Sequence, residues 1–290
     1  MPPGDPRPVV GALLGATVLV DNPEQAARSL VQLLGWRRRA AGHLDGAGFV
    51  TVASPGAERG MVRFLEGPED PPVDELREGW ASLEVVVRDV DGLARRIADS
   101  TDFVLRTAPM TFDLTEHGSN IHRALLAWGP GGVLMGCTMA VTQPRGRRFA
   151  DPGDDVGPVF SVGLRTPDLD RTTELYRRAL GMQTLLEVSW RSGQWHRMWG
   201  LPEGEEAGLR LLKGDGEGTG PGTIEVQSFS HRRLGPPAAP GIAWVTYATR
   251  SLRAARESAE RVCEVVASGA RSFTLRGDVG ERLEVVEGGW

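Results

Sequence analysis

Lysine is nearly missing from this sequence: Lys213 is the only one among 33 basic residues, and arginine supplies the rest. Cysteine is almost as scarce. Cys137 and Cys263 lie in different halves on apolar stretches, without Cys-x-x-Cys spacing. That excludes a cysteine-based zinc or redox motif and reads as two buried free thiols. Apolar runs long enough to span a bilayer (about 18 residues) are lacking, so no membrane helix is expected. The opening "MPPGDPRPVV" has no basic start followed by an apolar stretch, so it is no secretory signal, and a cytoplasmic protein is expected. Net charge is only −5, with both signs interspersed, which argues against a nucleic-acid surface. What remains is an ordinary globular composition, 40% apolar, in 290 residues: room for two domains.

The chain repeats itself. Residues 14–36, "LGATVLVDNPEQAARSLVQLLGW", superpose without a gap on residues 160–182, "FSVGLRTPDLDRTTELYRRALGM". Each reads as a strand, a capped helix and a glycine stop. Asn22-Pro23-Glu24 supplies a cap, a proline at the first helical position and a first-turn acid; Asp168 caps the second copy. Leu30, Leu33 and Leu34, matched by Tyr176, Ala179 and Leu180, share one helical face. Gly35 and Gly181 suit the left-handed position that ends a helix. A second strand-turn-helix pattern begins in each half at "ASLEVVVRDVDGLARRIADS" and "IAWVTYATRSLRAARESAERV". The polar, turn-rich residues 142–158 separate the halves. The expected class is therefore α+β: four βαβββ units, two in residues 1–141 and two in 159–290.

Four such units, with Asp-Leu-Asp-x5-Tyr-x3-Leu-Gly at 168–181 and Gly-x3-Glu at 280–284, resemble the vicinal oxygen chelate superfamily. That group includes glyoxalase I, bleomycin-resistance proteins and type I extradiol dioxygenases. The resemblance implies two cupped-sheet domains and four inward positions per cup that commonly hold a divalent metal through His, Glu or Gln. In the second half those positions fall on Ser161, Glu225, Trp244 and Glu284; in the first, on Gly15, Arg63, Ser82 and Gly136. No histidine occupies any of them, so no transition metal and no other cofactor is expected; two carboxylates alone could hold magnesium or calcium with water and substrate oxygens, and that stays open. The first half then reads as a structural partner with a degenerate cup.

Glu225 and Glu284 are the leading catalytic candidates, because two carboxylates in one cavity would share a proton and suit acid–base chemistry. His196 joins them through its near-neutral pKa. It lies in "SWRSGQWHRMWGLPEG", which gathers Trp190, Trp195, Trp199, Arg191 and Arg197. With Ser161 and Trp244, these tryptophans and Arg197 make the expected substrate-binding set. The bland alternatives are glutamates turned outward and a tryptophan-rich loop that merely packs. His117 and His122, five apart, and His43 and His231, in turns, read as loop residues. Arg63 reads as half of a structural ion pair. The glycine-rich residues 213–222 read as a hairpin loop, since they lead into a strand and lack the helix that a phosphate cradle needs.

The reading that follows is a metal-independent enzyme isomerising, cyclising or eliminating a hydrophobic cyclic or aromatic small molecule, in specialised metabolism. A protein that sequesters a drug or metabolite is the alternative, and an iron-dependent dioxygenase a third that fails on its histidines. A hydrophobic small molecule is the expected partner, with neither nucleic acid nor membrane; pairing as a homodimer stays open.

Overall fold

A computed structural model describes residues 9–68, 76–117, 121–142, 152–191, 193–214, 222–229, 234–235 and 241–288. The first unit runs β1 (Leu13–Val20), α1 (Pro23–Leu34), β2 (Arg37–Leu44), β3 (Ala47–Ala53) and β4 (Met61–Glu66). The second runs β5 (Gly79–Val87), α2 (Val90–Ala98), β6 (Val104–Asp113), β7 (Ile121–Trp128) and β8 (Leu134–Ala140). The third comprises β9 (Val156–Arg165), α3 (Leu169–Leu180), β10 (Gln183–Trp190), the short α4 (Gln194–Trp199), β11 (Ala207–Lys213) and β12 (Thr223–Phe229). The fourth comprises β13 (Ile242–Thr249), α5 (Leu252–Ala259), β14 (Glu264–Ser268), β15 (Ser272–Arg276) and β16 (Arg282–Glu287).

Local chemistry sets the helix ends. The Asn22 side chain accepts a hydrogen bond from the Gln25 amide at 3.1 Å, and Asp168 from Arg171 at 2.9 Å. Asp89 and Ser251 cap α2 and α5 in the same way. Each cap satisfies an amide that the helix leaves without a partner, worth about 1 kcal/mol. Gly35 and Gly181 end α1 and α3 at φ 70° and 66°, where a side chain would strain the backbone. The apolar faces of these helices are buried in one cluster that also takes in Trp36, Tyr176 and Tyr247. β2, which the sequence reading passed over, is an edge strand whose Arg37, Arg38 and Arg39 are exposed, a charged edge that discourages further pairing.

The sheets do not follow the two halves. One eight-stranded sheet has the order β14-β15-β16-β13-β1-β4-β3-β2 and joins the first unit to the fourth; the other, β10-β11-β12-β9-β5-β8-β7-β6, joins the second to the third. β1 meets β13 antiparallel, and β5 meets β9 antiparallel. Residues 1–141 and 159–290, expected to close a cup each, instead share both sheets. Residue alternation shows which face of a strand is buried but not which strand lies at its edge. Residues 143–151 of the expected linker, 215–221 of the glycine-rich loop, and His231 lie outside the described residues; β9 has already begun by Val156. Among the described residues no helix is long and apolar enough to cross a membrane.

Candidate functional site

The floor of the second sheet is built by strand register. On β12, Thr223 and Glu225 lie beside Ser161 and Gly163 of β9. Across β9, Ser82 and Glu84 of β5 pair with Gly163 and Ser161, and on the far side Glu84 lies beside Gly136 of β8. These residues alternate along their strands, so one face carries them all. Two carboxyls therefore meet over a floor in which Gly163, between them, contributes no side chain. Glu84 also fills the space over Gly136: a Cβ there would fall inside its carboxylate. Ser82 Oγ donates to Glu84 Oε1 at 2.7 Å, and Gln227 Nε2 donates to Glu225 Oε1 at 2.7 Å.

Burial sets the charge state of this pair. Desolvation, then the charge of Glu225, push Glu84 up to about 8, against the Ser82 hydrogen bond and the charge of Arg165. Glu225 is also raised by desolvation, with the Gln227 hydrogen bond opposing it. At neutral pH the two groups together hold a proton that exposed glutamates would have lost.

Above the carboxyls lies a cavity of about 100 Å³, which Glu84 and Glu225 line together with Phe112, His122, Trp190, Trp195 and Trp199. The rest of its wall is mainly aliphatic, from both halves of the chain. Trp190 and Trp195 stack at 4.5 Å between centroids, Phe112 tilts against Trp195 at 4.9 Å, and His122 stacks on Phe112 at 5.1 Å. Burial pushes His122 down to about 4, so it is neutral at pH 7. His122, expected in a loop, is a buried residue of β7. His43 likewise belongs to a strand, β2, where it is exposed.

Glu284 is elsewhere. It lies on β16 in the other sheet, beside Thr246 of β13, whose Oγ1 donates to it at 2.9 Å. The equivalent of Glu225 in that sheet is Arg63, beside Thr17, which faces Trp244. Burial lowers the Arg63 guanidinium while the charge of Glu284 raises it, and the same guanidinium lies 5.1 Å from the Phe49 ring. The expected Glu225–Glu284 pair is thus replaced by two pairs, Glu84–Glu225 in one cup and Arg63–Glu284 in the other. Pairing of the second unit with the third puts Glu84 where Glu284 was expected.

The other candidates are also separated. Trp190, Trp195 and Trp199 line the cavity; Trp244 belongs to the Arg63–Glu284 sheet. Ser161 is fully buried, its Oγ donating to the Thr223 carbonyl at 3.3 Å. His196 is buried on α4 with Nε2 hydrogen-bonded to the Glu205 carbonyl, which fixes the helix rather than facing the carboxyls. Arg197 is exposed. Cys137 and Cys263 are free thiols, the first buried and the second half-buried. The missed residue, Glu84, had a legible signal: it stands two places after Ser82 in "SLE", on the same strand face.

Glyoxalase I from Zea mays superposes with a TM-score of 0.69 over 95% of this chain and 92% of that one, at 14% identity. A proposed dioxygenase from Bacillus subtilis subsp. subtilis str. 168 superposes at 0.64 over 97% and 86%, at 11% identity. This chain has a tandem vicinal-oxygen-chelate fold. No protein-family model and no curated protein matches the sequence. In the vicinal-oxygen-chelate cup that holds the cavity, the four metal positions implied by the fold are Ser82, Gly136, Ser161 and Glu225. Even with the Glu84 carboxyl in the space over Gly136, two carboxyls and two hydroxyls do not make the nitrogen-and-carboxylate set a transition metal needs. Among the described residues, no three His, Cys, Asp or Glu side chains group so as to hold a metal.

Proposed function

We propose that this protein is an acid–base enzyme, working without a metal on a small hydrophobic cyclic or aromatic molecule. The carrying observation is the Glu84–Glu225 pair, enclosed beneath an aromatic wall and holding a proton at neutral pH. Glu225, oriented by Gln227, takes a proton from a carbon next to a carbonyl. Glu84, held by Ser82 through one oxygen, gives its proton to the carbonyl oxygen as the enol forms. Glu225 then gives its proton to a different carbon, or to the β-substituent as its bond to carbon breaks, while Glu84 takes back the enol proton; the first completes an isomerisation, the second an elimination. A raised carboxyl beside an ionised one is the arrangement such chemistry requires. The aliphatic and aromatic lining excludes water and selects an apolar body.

The same apolar wall favours a second reading, a protein that sequesters a drug or metabolite. One experiment separates the two. Small molecules that co-purify with the protein are identified by mass spectrometry and incubated with it in deuterium oxide. The enzyme introduces deuterium next to a carbonyl or converts the compound, in chelator as well as in its absence, and Glu84→Gln slows this by about 10²–10⁴-fold with little change in affinity. A compound bound tightly but neither exchanged nor converted makes the protein a sequestering one. Activity lost in chelator and restored by one metal overturns the metal-independent reading.

A further inference from the structure

Next along β9 from the carboxyl pair stands Arg165, beside Gln227 of β12. It is 5% exposed, yet its Nε is buried without a hydrogen-bond partner, and the guanidinium makes no hydrogen bond or ion pair among the described residues. Its visible contact is the face of Trp199, at 4.9 Å. A second guanidinium, that of Arg106 on β6, approaches the same indole at 5.8 Å and donates to the Met198 carbonyl at 2.7 Å. Gln227 spends its NH₂ on Glu225, while its Oε1 is buried without a partner. Trp199 lines the cavity and covers Arg165, which is not itself among the lining residues.

A buried cation with unspent donors is costly unless something completes it. The acid whose charge reaches it is Glu84, and burial keeps Glu84 protonated at neutral pH. Burial, and then the charge of Arg106, push Arg165 down to about 9, so it remains charged at pH 7. Behind the Trp199 end of the cavity there is therefore a charged, planar fork of donors suited to a carboxylate, which a ligand reaches by displacing the indole.

We propose that Arg165, with Arg106 beside it, is an anion subsite of the cavity and that the substrate is a cyclic or aromatic carboxylic acid, held by its carboxylate at Arg165 with its ring against the tryptophans. This rests on the acid–base reading of the cavity and adds the substrate class to it. Bound there, a carboxylate supplies the counter-charge that Glu84 withholds, and it fixes which carbon of the ring faces Glu225.

The test uses the full chain and two probes of one shape, benzoate and neutral benzamide, followed by calorimetry and tryptophan fluorescence at pH 7. Benzoate is expected to bind at least tenfold more tightly than benzamide. Arg165→Met should abolish that preference while keeping benzamide affinity, and Arg165→Lys, which retains charge but loses the fork, should keep only part of it. Should the methionine variant not fold, the wild-type ratio and the lysine variant decide. Equal affinity of the wild type for the two probes, or a preference unchanged in the Arg165 variants, overturns the subsite and leaves the acid–base cavity standing. Binding of neither probe overturns the subsite together with the reading of the cavity as a ligand site.

Discussion

The two sheets have one architecture and opposite chemistry. Arg63 stands where the other floor has Glu225, and Glu284 where it has Gly136, whose space the Glu84 carboxyl fills from the next strand. One floor thus carries a cation and an anion within each other's field, the other two acids. Opposite charges satisfy each other, and Thr246 and Phe49 complete the arrangement, so that floor reads as a structural element. Like charges cannot satisfy each other. One acid keeps a proton, and the floor stays poised for a substrate. The difference arises from a few side chains on a shared frame, which shows how a duplicated cup can divide scaffold from site.

The sharpest break of this comparison is Gly136→Ala. Its Cβ would occupy the Glu84 carboxylate, which must then leave the floor. Stability should fall by about 1–3 kcal/mol in urea titration, and deuterium exchange should drop with it. A variant as stable as wild type would show that the floor has room to spare and is not built around Glu84.

The next is pH. Glu84 is raised from 4.5 to about 8, so its favourable share of stability is complete below 4.5 and is lost as pH climbs toward 8. Glu84→Gln lacks that loss. The variant should therefore gain on wild type across this window, by up to about 1.4 kcal/mol per pH unit, and stay level above it. Thermal melts at pH 5 and pH 8 check this; the same gap at both would mean that Glu84 is not held protonated. Glu281, raised to about 7 by burial, adds a slope common to both proteins and cancels in the difference.

The smallest effect belongs to the other floor. Arg63→Met leaves Glu284 with Thr246 alone, and because neither charge is fully enclosed the cost should be about 1 kcal/mol, with exchange activity unchanged. Lost exchange would mean that the two cups communicate.

Much of the frame was legible. Asn22, Asp168, Gly35 and Gly181 mark helix ends through backbone chemistry that acts within a few residues, and the repeat exposed the units. The partnership of units was not legible. Glu225 could be assigned to a strand face from "TIEVQ", but its partner depended on whether β9 lies beside β5 or its own half closes on itself, and alternation along a strand says nothing of that. Gly136 was legible only as an absence. Its missing side chain is filled by a neighbour distant in sequence, a relation that appears only once β5 and β8 lie side by side. His122 was misread because a spacing argument suited to helices was applied to a strand.

The pairing of the first unit with the fourth also governs how the chain is made. Leu13 pairs with Tyr247, a closure over roughly 230 residues, whereas β5 and β9 are much closer in sequence. During synthesis the inner sheet can assemble while β1, among the first strands to emerge, still waits for β13. Through that interval its long apolar edge, "LLGATVLV", is open to any passing strand. The ribosome's pace through the second and third units thus sets how long that edge stays open.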